Sequence, residues 1–314
     1  MKNLRAIAMT SMAVITVATF CACQKPQVNE VVVKNVPMRI VRDDLDREIL
    51  VPTKVTRVVS TAPSVTEMLF AAGGGDRLVG VTTFCNYPEQ ARSIAKIGDT
   101  MNPNMESIVA LKPDVVFVST ASQLEAFTKT LEQNGIAVYV MDPINVSGVV
   151  RNLRELGTIF DTVEPTEKLA WSLLAREVKI GLRQDRHETD AEFERRAVPV
   201  FVQISKEPLF TVGKTSFVNN LIHGAGGKLL TDNIETAYPR LSKETALALR
   251  PEVIILSASD DNREPNEVFK NSPAVKNGRV YSIDADILSR PGPRLVDALE
   301  QIAKLLHPEK FRDN

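Results

Sequence analysis

Cysteine is almost missing from this chain of 314 residues, and what little there is cannot form a disulfide framework. Cys21 and Cys23 lie at the N-terminus, which leaves Cys85 alone in the body of the chain, so no internal disulfide is expected. Histidine is equally scarce. His187 sits in a charged stretch, His223 at the end of an apolar run and His307 before Pro308. Metal sites need clustered ligands, so no dedicated metal site is expected. Aromatic residues make up 5%, with Trp171 the one tryptophan. Charge of one sign is lacking too: a net charge of −1 excludes the basic field that a nucleic-acid surface requires. Beyond the first residues, no run is long and apolar enough to cross a bilayer. The 44% hydrophobic content and the length do allow a large core, in two domains or one large one.

What is present begins with an export signal. Met1–Cys23 has a basic start (Lys2, Arg5), an apolar run from Ala6 to Phe20 and small residues before a cysteine. Ala22-Cys23 resembles a lipoprotein cleavage site, in which Cys23 becomes the lipidated first residue; the other reading is an ordinary secretory peptide. Gln24–Val36 reads as a polar tether. Met38–Val51 alternates charged and apolar residues, as a small hairpin would.

The main organising feature is a repeat. Glu106–Ser119 reads ESIVALKPDVVFVS, and Glu244–Ser257 reads ETALALRPEVIILS. The two align without a gap, with Lys112 standing for Arg250 and Asp114 for Glu252. Each copy opens on a glutamate heading a short apolar helix, and proline ends that helix by forcing the residue before it into extended geometry. A β-branched run follows, too apolar for a strand wetted on one face and suited to one buried in a parallel sheet. A helix–Pro–strand unit appearing twice implies two similar lobes.

The expected organisation is an export signal over 1–23, tether and hairpin over 24–54, a first lobe over 55–145, bridging helices and a loop over 146–196, and a second lobe over 197–314. In the first lobe, strands are expected at Val55–Ser60, Leu78–Val81 and Ala137–Met141. Ser64-Val65-Thr66-Glu67 has the pattern of a capping box opening a helix that stops at Gly73-Gly74-Gly75. Alternating strands and helices imply an α/β sheet with right-handed crossovers. Val146–His187 carries no strand signal. Within it, Leu169, Leu173, Val178, Ile180 and Leu182 continue a helical stripe to Arg183, and a helix of about 20 residues is about 30 Å long. His187–Arg196 reads as a solvated loop. Leu295–Leu306 carries one apolar stripe.

Several chemistries fail on spacing. Gly213-Lys214-Thr215 lacks the glycine a phosphate loop needs five residues earlier, where Pro208 stands. Gly224-Ala225-Gly226-Gly227 lacks the third spaced glycine of a dinucleotide fingerprint. Cys85 and His223 could pair as nucleophile and base, but no orienting carboxylate is evident. Arg290-Pro291-Gly292-Pro293-Arg294 precedes the last helix, whose N-terminus offers free N–H donors; it is either an anchor for an anionic group or a surface loop. Phe84-Cys85-Asn86-Tyr87-Pro88 follows a strand, where open α/β sheets place their ligand crevice. Tyr238-Pro239-Arg240 occupies a comparable loop before the second repeat. Glu106 and Glu244 are too far apart to share chemistry if the lobes sit side by side. They either stabilise helix starts or serve as equivalent docking points.

Taken together, the leader, PSVTE, CNYP, NMESIVALKPDVV, LSKETALALRPEVII and RPGPR resemble the vitamin B12 and iron-siderophore substrate-binding proteins of ABC importers, over about residues 55–310. The resemblance implies two Rossmann-like three-layer α/β lobes joined by one long bridging helix, with the ligand cleft between them. It implies no enzymatic activity, no catalytic residue and no cofactor. The cargo expected is cobalamin or another corrinoid, or alternatively a ferric siderophore or haem. Phe84, Tyr87 and Tyr238 would pack on it, and Arg240 and Arg290 would bind its polar or anionic edges. Glu106 and Glu244 match the family's glutamates that dock on permease arginines. The partners implied are an ABC permease with its ATPase and, through a lipid on Cys23, the outer face of a membrane; a monomer is expected. Within the family, TTFCNYP and PSVTE are most similar to the cobalamin-binding branch, although that branch lines its cleft with several tryptophans and here Trp171 falls on the bridging helix. The rivals from other classes are a cleft hydrolase using Cys85 or a carboxylate, and a pure adaptor that binds only a membrane partner.

Overall fold

A computed structural model describes residues 37–120, 124–183 and 189–312. The leader, Cys23 and the tether expected over 24–36 lie outside the described residues, as does His187. The first described elements are β1 (Met38–Arg42) and β2 (Glu48–Pro52), which pair antiparallel as a hairpin.

The first lobe follows. Its elements are β3 (Val58–Ser60), α1 (Pro63–Ala71), β4 (Leu78–Gly80), α2 (Met105–Ala110), β5 (Val115–Ser119), α3 (Leu124–Gln133) and β6 (Ala137–Met141). The strands form one parallel sheet in the order β4-β3-β5-β6. In β5, Val115 and Phe117 belong to one apolar cluster while Val116 and Val118 belong to another. Successive side chains of a strand point to opposite faces, so helices cover both faces, and the β-branched run is apolar throughout for that reason.

Two helices then leave the lobe, α4 (Val146–Phe160) and α5 (Val163–Arg183). Asn145 opens α4 by accepting from the Gly148 amide at 2.8 Å. The long helix α5 packs on α4 and, further along, on the last helix of the chain. Its inward stripe differs from the expected one. Thr166, Ala170, Leu173 and Ile180 are buried, whereas Val178, Leu182 and Trp171 stand in solvent. The stretch ending at Arg196 is also not simply a loop: α6 (Asp190–Arg196) forms there because Thr189 and Glu192 make a capping box, with the Thr189 amide donating to the Glu192 carboxylate at 2.8 Å.

The second lobe comprises β7 (Val198–Ser205), β8 (Phe210–Thr211), α7 (Phe217–Gly224), β9 (Gly227–Leu229), α8 (Lys243–Ala248), β10 (Val253–Ala258), α9 (Pro273–Lys276), β11 (Val280–Asp284), α10 (Ala285–Leu288) and α11 (Leu295–Leu306). Its sheet runs β11-β10-β7, with β9 parallel to the start of β7 and the short β8 antiparallel to its end. Again the central strand is buried on both faces: Val253 and Ile255 face one cluster, Ile254 and Leu256 another.

The repeat therefore occupies the same position twice. Helix α2 leads into β5 and α8 into β10, and both strands lie inside their sheets, each with a partner on either side. The helix starts match as well. Asn104 accepts from the Ser107 amide and Ser242 from the Thr245 amide. The sheets are separate, yet their inner faces contribute to one continuous cluster with α1, α4, α5, α7 and α11. Each of its fully buried aliphatic or aromatic side chains is worth about 1.5–3 kcal/mol, so this shared layer makes the two lobes one body.

Candidate functional site

Parallel strands put their C-terminal ends on one edge, and the loops leaving those ends build the crevice. Phe84 and Tyr87 leave β4 in this way and are 60% and 48% exposed, a high value for rings in so aromatic-poor a chain. Between them Cys85 turns inward. Its buried thiol lies 3.1 Å from the hydroxyls of Thr66 and of Thr82. Cys85 is thus packed in the first lobe, while His223 stacks on Phe193 in the second with ring centroids 4.3 Å apart, so the two do not meet as a nucleophile pair.

Tyr238 and Arg240 lie in the second lobe, on the loop before α8. The Tyr238 ring is 42% exposed, and partial burial of its hydroxyl raises its pKa against the opposing effect of a Ser216 hydrogen bond. Arg240 is exposed and bridges by its backbone to Phe210. The phosphate-loop remnant nearby is occupied differently. The Lys214 ammonium donates to Glu235 at 2.8 Å, and Ser216 caps α7.

The Arg290 expectation needs correcting. Its side chain is 9% exposed, and its charge is met inside the protein. It donates to Glu67 at 3.0 Å, to the Asn86 carboxamide at 2.7 Å and to Asp286 at 2.5 Å. A guanidinium this enclosed is a link between lobes, not a free anchor for a ligand anion. The capping-box reading of Glu67 is corrected by the same contacts. Helix α1 starts at Pro63, which is already shaped for a first helical position. Ala62 precedes it with no side-chain cap, and Glu67 turns instead to the second lobe. Sequence reasoning missed Asn86 and Asp286 as members of this network, and it left the Arg290–Arg294 segment open between an anion anchor and a surface loop, with Glu67 not foreseen as a partner. Their spacing in the chain carries no signal of the contact.

Glu106 and Glu244 are both exposed at the second position of their helices. A backbone hydrogen bond at Glu244 itself and one from Ser242 lower the pKa of the Glu244 carboxyl. Both carboxylates face solvent on corresponding elements of the two lobes.

Among the described residues, no group of three or more His, Cys, Asp or Glu side chains is placed to hold a metal ion, and no helix is long and apolar enough to cross a membrane.

Two parallel α/β lobes on a shared core, with exposed rings on loops at the strand ends, define a two-lobe binding protein. The chain belongs to the periplasmic binding protein family, whose model matches residues 58–287. It is a substrate-binding protein of an ABC transporter and works outside the cytoplasm. It is 29% identical over 277 residues to an uncharacterised ABC transporter substrate-binding lipoprotein of Bacillus subtilis, covering 86% of each chain. It is 29% identical over 254 residues to the vitamin B12-binding protein of Vibrio parahaemolyticus, covering 80% of this chain and 89% of that one. The crystal structure of the periplasmic vitamin B12-binding protein of Vibrio cholerae superposes with a TM-score of 0.68 at 27% identity, covering 83% of this chain and all of that one.

Proposed function

We propose that this protein captures cobalamin or a related corrinoid between its lobes and delivers it to an ABC permease, without catalysing a reaction. The observation that carries this reading is the exposure of Phe84 and Tyr87 on a loop of the first lobe and of Tyr238 on a loop of the second. Large apolar rings left in solvent at a concave site serve a large, flat, partly apolar ligand. The two vitamin B12-binding relatives support the choice of cargo. Arg240 meets the ligand's polar edge. Glu106 and Glu244 dock on cationic residues of the permease, one per lobe. A lipid on Cys23 tethers the receptor, which acts as a monomer.

Calorimetric titration of the purified protein with cyanocobalamin, a ferric siderophore and haem tests the cargo. Saturable heat with cyanocobalamin alone supports the reading. Saturation by haem or a ferric chelate instead moves the protein to another branch of the family. No heat with any of the three removes the small-molecule role. Cys23→Ala tests the tether, with release from the membrane fraction expected.

A further inference from the structure

Glu67 is buried on α1 among Val65, Thr66, Met68 and Leu69, with its side chain 2% exposed. A carboxylate in such surroundings is costly unless its charge and lone pairs are met. The described contacts that meet them come from the other lobe. Arg294 donates to it twice, from Nε to Oε2 at 2.8 Å and from Nη2 to Oε1 at 2.6 Å, and Arg290 donates from Nη1 to Oε1 at 3.0 Å. Asn86 and Asp286 close the circuit: Arg290 donates to both, and the Asn86 amide donates to Asp286 at 2.8 Å. Two carboxylates thus balance two guanidiniums, and the bonds cross repeatedly from one lobe to the other.

This circuit touches the cleft at one place. The Arg294 guanidinium lies over the ring of Tyr87, 4.2 Å from its centroid. A two-pronged bond to a carboxylate fixes the plane of a guanidinium as well as its position, and a fixed cation over a ring fixes the ring. Asn86, the residue before Tyr87, is held by Arg290 in the same circuit. The Asn86-Tyr87 segment leaves the first lobe, but its side chains are oriented by the second. Tyr87 nevertheless stays 48% exposed, so part of the ring remains available to a ligand.

We propose that Glu67 and Arg294 are positioning residues for ligand recognition. Arg294, clamped by Glu67, holds the Tyr87 ring in the orientation the ligand meets, so affinity depends on how the two lobes are seated. This rests on the reading of Tyr87 as a ligand-contacting ring, and the test separates the two claims. The full chain is labelled with 3-fluorotyrosine, and the resonance of Tyr87 is assigned with Tyr87→Phe. In the ligand-free protein, Arg294→Lys and Glu67→Gln shift the Tyr87 resonance and leave that of the core residue Tyr139 in place. Arg294→Lys keeps the positive charge while removing the flat fork, so it remains informative if Glu67→Gln does not fold. Cyanocobalamin then binds the Arg294→Lys protein at least fivefold more weakly, and Arg294→Lys has no further effect once Tyr87 is alanine. An unmoved Tyr87 resonance in Arg294→Lys overturns the proposal, as do Arg294 and Tyr87 effects that simply multiply. A wild-type protein that ignores cyanocobalamin removes the ligand reading, while the ring resonance still decides the positioning claim.

Discussion

Gly157 and Thr166 approach so closely that a Cβ on Gly157 would stand 2.2 Å from the Thr166 hydroxyl oxygen. The two residues belong to α4 and α5, so their contact sets the path by which the bridging helix leaves the first lobe. Thr166 is 1% exposed, and its hydroxyl already donates to the Thr162 carbonyl at 2.8 Å, so it has little room to retreat. Alanine is the better helix former by about 0.8–1.0 kcal/mol, but forced overpacking costs about 1–3 kcal/mol. Gly157→Ala should therefore lower stability on balance, and urea unfolding measures it. A gain in stability would mean that the helix crossing is looser than this contact requires.

Arg290 and Arg240 should separate cleanly when each is replaced by alanine. Removing Arg290 leaves the buried Glu67 with Arg294 alone and takes the guanidinium from the part-exposed Asp286, a loss of about 1.5–3 kcal/mol for hydrogen bonds to charged groups. Arg240 is exposed, and its removal should change stability by about 0.5 kcal/mol or less. Ligand affinity should respond to Arg240→Ala. Denaturation midpoints and cyanocobalamin titrations on the two variants check this, and equal stabilities would restore Arg290 as a free anchor.

Charge reversal at Glu106 and Glu244 should leave cargo binding intact, because both carboxylates stand in solvent at helix starts and neither is among the side chains proposed to meet the cargo. With the cognate permease reconstituted in vesicles, the double reversal should abolish the ATPase stimulation given by the loaded wild-type receptor. Stimulation that survives both reversals would show that docking uses other residues.

Much of the fold was legible because its signals are local. Leu111-Lys112-Pro113 and Leu249-Arg250-Pro251 announce a helix end and a strand start within a few residues, and the structure builds an interior strand from each. Phe84, Tyr87 and Tyr238 could be picked out because rings are scarce and follow strand or turn signals. The Glu67 circuit was not legible, since its partners lie 223 and 227 residues away. A glutamate three places after a serine satisfies the local rule for a capped helix whatever it does in the folded protein. The face of α5 was misread for a related reason: Val178 and Leu182 are apolar, but they fall on the solvent side of a helix whose other side packs on α4 and α11.

Acid should loosen the bridge before it dismantles the sheets. Hydrogen bonds from Lys304 and Arg176 hold the Glu300 carboxyl down to about 2, and Arg176, on α5, also pairs with Asp297 at 2.8 Å. Because the folded value lies below the ordinary one of about 4.3, this contribution is fully present above that range. It is lost as pH falls towards about 2. Between about pH 5 and pH 2.5 the urea midpoint of the wild type should fall faster than that of Glu300→Gln. Parallel curves would mean that the α5–α11 contact adds nothing.

The β1–β2 hairpin has a consequence for life in a crowded compartment. Strand β6 ends its sheet, and a bare edge invites another molecule to add a strand. The turn of the hairpin occupies that border. The Asp44 amide donates to the Val140 carbonyl at 3.1 Å, Arg47 donates to the Val138 carbonyl at 3.2 Å, and the Asp142 amide donates to Asp44 at 2.6 Å. Along this edge a neighbouring copy therefore meets charged side chains rather than a row of unanswered amides, which closes one route to strand addition.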